Sequence, residues 1–290
     1  MKVAIMTDSN CGITQSQAKD LGIFVIPMPF TIDREEYKED INLTQEQFYD
    51  MLMNDAEVFT SQPSVGEVTS FFDRILEEYD QIVHIPMSSG LSGSCQTALM
   101  LANESEYKGK VFVVDSQRVS VTQKCDVLDA IELAKAGKDA KEIHDILMEN
   151  KAKSSIYITV NTLDYLKKGG RVTPAAAALG GLLKIKPILS IHGEKLDSFA
   201  KTRTMNKAKT IMIDALKEDI ASFIDEDKEN YSNTRIMMAY TYDKEAALEF
   251  KAQLEEEFPN HEIVCDPLSL SVACHIGPHS LAVAACKKIN

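Results

Sequence analysis

Short apolar runs alternate, along the first half of the chain, with stretches whose apolar residues recur every three or four positions. KVAIMT, GIFVIPMPF, QIVHIPM and KVFVVDS are apolar at consecutive positions, the pattern of strands covered on both faces. LTQEQFYDMLMN, SVGEVTSFFDRILEEY, GSCQTALMLANE and VTQKCDVLDAIELAKAG lie between and after them with helical spacing. In the second of these, Val65, Val68, Phe71, Phe72 and Ile75 make one stripe. Strands separated by such helices predict a parallel sheet in a three-layer α/β unit. DAKEIHDILMENKAK then predicts a helix leading out of that unit.

After residue 154 the pattern changes. SIYITVN reads as a strand, TLDYLKKGG as a short helix stopped by glycines, and PAAAALGGLLK as a small-residue helix opened by Pro174. KPILSIHGEKLDSFAKTRT predicts a hairpin turning at His192-Gly193. A helix (MNKAKTIMIDALKEDIASFI), a strand (RIMMAYTY), a helix (KEAALEFKAQLEEEF) and a final strand pair (HEIVCDPLS and SVACHIG) follow. The expectation is two α/β domains, residues 1–153 around a parallel sheet and residues 154–290 around a mixed sheet. DEDKENYSN reads as a solvated loop.

Of the 290 residues, 44% are hydrophobic, enough for a sizeable core. Lys and Arg number 31 against 44 Asp and Glu, a net charge of −13. That balance argues against nucleic acid or an anionic membrane surface as the main partner. Six scattered cysteines form neither a C-x-x-C pair nor a zinc-ligand spacing, so reduced, mostly buried thiols and no metal are expected. No apolar stretch is long enough to span a bilayer, and MKVAIMTDSN reads as a strand ending in polar residues, not as a signal peptide. A cytoplasmic protein without an integral membrane segment is the expectation.

The candidate chemistry sits at strand ends. HIPMSSGLSGSCQTALMLAN passes from a strand through four serines and two glycines into a helix. A helix start offers unpaired N–H groups and a partial positive charge, glycines let a ligand approach them, and serine hydroxyls add donors. An N-cap serine with turn glycines is the plainer reading. In FTSQPSVGEV, Ser64 and Glu67 fit a capping box, which leaves Thr60 and Ser61 free to face a ligand. TDSNCG follows the first strand, and Asp8 there either anchors the loops or meets a ligand. Uncharged donors converging from three strand ends suit a single carboxylate better than a polyphosphate. No GxxxxGK[ST] stretch and no G-x-G-x-x-G after a strand is present, which disfavours nucleotides.

TDS, TSQPS, SSGLSGS and VVDS, with LKKGGRV, LLKIKPIL, KTRT and HIGPHS further on, resemble the DegV family of bacterial fatty-acid-binding proteins. The matching stretches keep the family's order from residue 7 to residue 280. The resemblance implies a DegV-like fold with a long-chain fatty acid in a tunnel between two α/β domains. It places the carboxylate on Thr60 and Ser92, with Ser61 and backbone N–H groups around Gly93 in support. It implies no cofactor apart from the bound acid. Some members are the fatty-acid-binding subunit of a bacterial fatty acid kinase. They present the acid to a separate ATP-dependent kinase, which makes the acyl phosphate used in phospholipid synthesis.

His275 matches the family's histidine; it bonds the carboxylate directly or through water, or it is a core histidine bonded to backbone. Arg171 and Arg203 either contact phosphate or the kinase, for which guanidinium forks are suited, or make surface salt bridges. Lys167 and Lys168 read as a solvated helix end. One departure stands out: the family reads H-x-G-P-G where this chain has HIGPHS, so His279 occupies a glycine position. If that position needs φ > 0, histidine is strained there.

Burying a 16-carbon tail at about 0.8 kcal/mol per methylene contributes roughly 12 kcal/mol before the cost of association, several kcal/mol at least. The apolar PAAAALGGLLKIKPIL suits a tunnel wall and equally a plain core helix. The competing reading is a serine hydrolase acting on a lipid-like ester, with His275 as base. It lacks a G-x-S-x-G elbow and an acid placed to orient the histidine.

Overall fold

The computed structural model describes residues 1–179, 185–192 and 195–289. The first half runs β1 (Val3–Asp8), α1 (Gln15–Leu21), β2 (Phe24–Ile26), β3 (Pro29–Ile32), β4 (Glu35–Lys38), α2 (Gln45–Met53), β5 (Val58–Thr60) and α3 (Val65–Leu76). It continues through β6 (Gln81–Ile85), α4 (Ser94–Ala102), β7 (Val111–Val113), α5 (Ser120–Lys135) and α6 (Ala140–Glu149). Strands β2-β1-β6-β7 form an all-parallel sheet in that order. Alternate strand residues face opposite layers. Ile5, Val83 and Ile85 pack on α5 and α6, whereas Met6, Ile82 and Val113 pack on α3 and α4. This is the three-layer unit expected from continuous apolar strands. Its strand order reverses between β1 and β6, which makes their carboxyl ends the natural ligand crevice.

GIFVIPMPF is not one strand. Pro27 ends it, and Pro29 opens β3 in a separate three-stranded antiparallel sheet, β4-β3-β5. Proline lacks the N–H that a continuing ladder needs, so the chain changes sheet there. Asp33 and Arg34, at φ 50° and 76°, make the tight turn between β3 and β4. α1 and this small sheet were not anticipated from the pattern.

The second half runs β8 (Ser154–Thr159), α7 (Asp164–Gly169), α8 (Pro174–Ala178), β9 (Lys186–Ile191), β10 (Asp197–Thr202) and α9 (Met205–Asp219). β11 (Thr234–Tyr240), α10 (Lys244–Glu257), β12 (Val264–Pro267), α11 (Leu270–Ile276) and β13 (Leu281–Lys287) complete it. The six-stranded sheet has the order β10-β9-β8-β13-β11-β12, and only β11 and β12 pair in parallel. The hairpin forms as expected, β9 against β10, with Gly193 of its turn outside the described residues. α8 begins at Pro174, and the GGLLK part of the expected wall helix also lies outside them.

SVACHIG, expected as a strand, is helix α11. Leu270, Ala273 and Cys274 recur at helical spacing and bury against Phe30 and Phe48 under the small sheet. So short a run is ambiguous by periodicity alone, and the tertiary contact decides it. The strand taken from it is instead β13, which lies in the middle of the sheet between β8 and β11.

One face of the six-stranded sheet packs on α9 and α10. The other, with Ile158, Leu189, Ile191 and Met237, meets Met28, Met87, Leu91, Val119 and Cys125 from the first half. Bonds from α5 cross the same junction: Arg235 donates to both oxygens of Asp129, and Lys124 pairs with Asp266 at 2.8 Å. Among the described residues no helix is long and apolar enough to cross a membrane.

Candidate functional site

The loops after β1 and β6 are tied together by one buried carboxylate. Asp8 accepts from Asn10 N at 3.0 Å, from Met87 N at 2.8 Å and from Gln123 Nε2 at 3.1 Å. Burial raises its carboxyl above the usual range against the pull of these bonds. Of the two roles open to Asp8, the geometry realises the anchor.

Three polar segments reach the same place from that frame. β5 ends at Thr60, followed by Ser61, whose N–H donates to Pro29 O at 3.1 Å. Ser64 caps α3 in the expected box with Glu67. The Ser/Gly loop enters α4 with Gly93, not a serine, at the N-cap. Ser92 Oγ instead accepts from Ser94 N at 3.2 Å, so its single hydroxyl hydrogen remains for another acceptor. His275 comes from α11, and its Nε2 lies 2.7 Å from Thr60 Oγ1. Its partner is thus a side-chain hydroxyl, not backbone. Burial, with the Arg171 guanidinium adding to it, pushes this imidazole down to about 4, so it is neutral at pH 7.

Thr60, Ser61, Ser92, Gly93, Arg171 and His275 all line one cavity of about 270 Å³ between the two halves. Met28, Met87, Leu91, Val119, Leu166 and Ile191 supply much of its apolar wall. Thr60, Arg171 and His275 also face a smaller cavity of about 130 Å³ beside Phe59 and Lys168, so they partition the two spaces. Arg171 is held by bonds from Nε to Leu91 O, at 3.2 Å, and from Nη1 to Gly169 O, which pin the Ser/Gly loop to the end of α7. Arg203 is not brought here: it lies exposed just before α9 and lines neither cavity. Lys168, expected as a solvated helix end, also stacks over the Phe59 ring at 5.1 Å.

Three polar wall residues were not singled out from the sequence. Asn10 and Ser271 are both buried; Ser271 Oγ donates to Asn10 Oδ1 at 2.5 Å, and Asn10 Nδ2 lies 2.9 Å from Met87 Sδ. Gln62 hydrogen-bonds Thr97 at 3.0 Å beside Gly93. Asn10 and Gln62 stand within the TDSNCG and TSQPS clusters, which was the available signal. Ser271 was hidden by the misread helix. Among the described residues no group of three His, Cys, Asp or Glu side chains is placed to hold a metal. Burial pushes the thiols of Cys11, Cys95 and Cys274 up to about 12.

His279 has φ 60°, a left-handed value and the condition under which a histidine is strained at this position. Its ring packs edge-on against Tyr242 with centroids 4.9 Å apart, and Nδ1 lies 3.7 Å from Asp243 Oδ2.

A family model described as "Uncharacterised protein, DegV family" matches residues 2–288. The chain belongs to the DegV family. A DegV domain-containing protein of Clostridium perfringens is 31% identical over 288 residues, covering 97% of this chain and 96% of that one. Two solved DegV structures share the fold. One, from Thermus thermophilus, is described as showing fatty acid binding; it is 27% identical, with a TM-score of 0.88, over 99% of this chain and 100% of the other. The second, described as a fatty acid binding protein from Bacillus subtilis, is 28% identical, with a TM-score of 0.86, over the same shares. The α/β fold with a parallel and a mixed sheet is therefore that of DegV proteins.

Proposed function

We propose that the protein binds a long-chain fatty acid. Its carboxylate is held by the hydroxyls of Thr60 and Ser92, with Ser61, the Gly93 N–H and His275 around it. The acyl chain lies against the apolar wall between residues 1–153 and 154–290, which act as two domains closing on it. The observation that carries this reading is the convergence of hydroxyls from two loops, and His275 from the opposite half, on one apolar-walled cavity. Fatty acid binding in the similar DegV structures supports it. Apolar contact supplies affinity, and uncharged donors fix which end of the acid faces out. The protein acts as a cytoplasmic carrier without a catalytic or nucleotide site of its own. It presents the acid to a separate ATP-dependent fatty acid kinase for acyl-phosphate formation, feeding phospholipid synthesis. Arg171 at the cavity and exposed Arg203 contact the phosphate or the kinase.

Mass spectrometry of the denatured, purified protein is expected to release a long-chain acid, and repeated absence of lipid counts against the reading. Thr60→Ala combined with Ser92→Ala removes two bonds to a charged group. Fatty-acid affinity is expected to fall roughly 100-fold in calorimetric titration. Unchanged affinity in the folded double variant removes the site assignment.

A further inference from the structure

Helices α7 and α11 meet through two reciprocal contacts in which a ring lies on a glycine. A β-carbon on Gly277 would stand 2.4 Å from Cδ2 of Tyr165, and one on Gly169 would stand 2.0 Å from Nδ1 of His275. Both distances are below the 3.0 Å that real β-carbons keep. Gly277 is also required by its φ of 74°. Gly169 is under no such backbone demand; what excludes a side chain there is the imidazole, which supplies the three nearest atoms. The position a β-carbon would take lies 2.0 Å from Nδ1 but 2.7 Å from Cε1 and 3.1 Å from Cγ. It is therefore on the outer side of Nδ1, and one α-hydrogen of Gly169 points at that nitrogen. A proton on Nδ1 would project into the same space, whereas a bare lone pair accepts the weak C–H contact. Across the ring, Nε2 meets Thr60 Oγ1 at 2.7 Å.

We propose that Gly169 is a positioning residue that selects the tautomer of His275 with its proton on Nε2, so that Nε2 donates to Thr60 and turns the threonine hydroxyl hydrogen toward an anion in the cavity. A hydroxyl has one hydrogen. Were Nε2 the acceptor, Thr60 would direct that hydrogen at the histidine and present only lone pairs to a carboxylate. With Nε2 donating, the chain runs imidazole N–H to hydroxyl oxygen, then hydroxyl O–H to the ligand. The doubly protonated ring is disfavoured by the same contact, in keeping with the low value that burial and Arg171 impose on His275. The proposal rests on the fatty-acid reading only for the identity of the anion.

Long-range proton–nitrogen NMR of histidine-labelled wild type, with His275 identified by its absence in His275→Ala, reads the tautomer directly. A proton on Nε2 is expected without ligand and with palmitate. A proton on Nδ1, or averaging of the two forms, overturns the proposal. In calorimetric titration with palmitate, Gly169→Ala is expected to weaken binding at least tenfold, and to weaken it no further in combination with His275→Ala. Additive losses overturn the route through His275. Should Gly169→Ala fail to fold, the wild-type tautomer decides. A wild type that binds no palmitate refutes the fatty-acid reading and leaves the tautomer measurement standing.

Discussion

At the scale of single residues, the backbone sets demands that a side chain either meets or resists. His279 occupies a left-handed position, which costs an ordinary L-residue about 1–2 kcal/mol, and offsets part of that by packing on Tyr242. His279→Gly relieves the strain but loses the ring contact and gains freedom when unfolded. Its stability in urea is expected to stay within about 1 kcal/mol of wild type. His279→Val, β-branched at the same φ, is expected to lose about 2 kcal/mol. At this scale much was legible. Ser64 with Glu67 caps α3, and Thr60 and Ser92 face the cavity. The bond between Thr60 and His275 was not, because it joins residues 215 positions apart through packing that no local pattern records.

Among the elements, the helix that carries His275 depends on a carboxylate from another sheet. Ser269 makes no side-chain cap on α11; Glu39, just after β4, accepts from Leu270 N at 2.8 Å and from Gln45 Nε2 at 2.9 Å. Burial pushes the Glu39 carboxyl from 4.5 up to about 7 despite these bonds. Its folded value is above its unfolded one, so the stability it contributes is full below about 4.5 and is lost as pH rises through 7. Glu39→Gln keeps an acceptor for Leu270 and does not titrate. Wild type is therefore expected to lose roughly 1 kcal/mol or more relative to Glu39→Gln between pH 5 and pH 8, read from paired urea titrations. An unchanged difference would show that Glu39 stays ionised in the fold. α11 was misread because seven residues cannot separate period 2 from period 3.6, and the small sheet because its turn at Asp33-Arg34 lacks the Gly or Asn that signals one.

For the whole molecule, the junction between halves is apolar at the cavity and ionic along α5. Asp129 is 2% exposed and accepts both guanidinium bonds of Arg235. Arg235→Ala leaves that carboxylate buried and unpaired, and a loss of about 3 kcal/mol in urea unfolding is expected. Adding Asp129→Asn should recover part of it; a harmless Arg235→Ala would mean that water reaches the carboxylate. Composition and periodicity by themselves determined the α/β class, the parallel sheet and its covering helices, the hairpin, and the strand ends where hydroxyls gather. Each of these follows from burial and capping rules acting over a few residues. Only the tertiary structure decided that GIFVIPMPF divides between two sheets, that residues 270–276 form a helix, that β13 lies mid-sheet, and that His275 meets Thr60. Those outcomes depend on which distant surfaces are free to bury one another, and that is a property of the assembled chain.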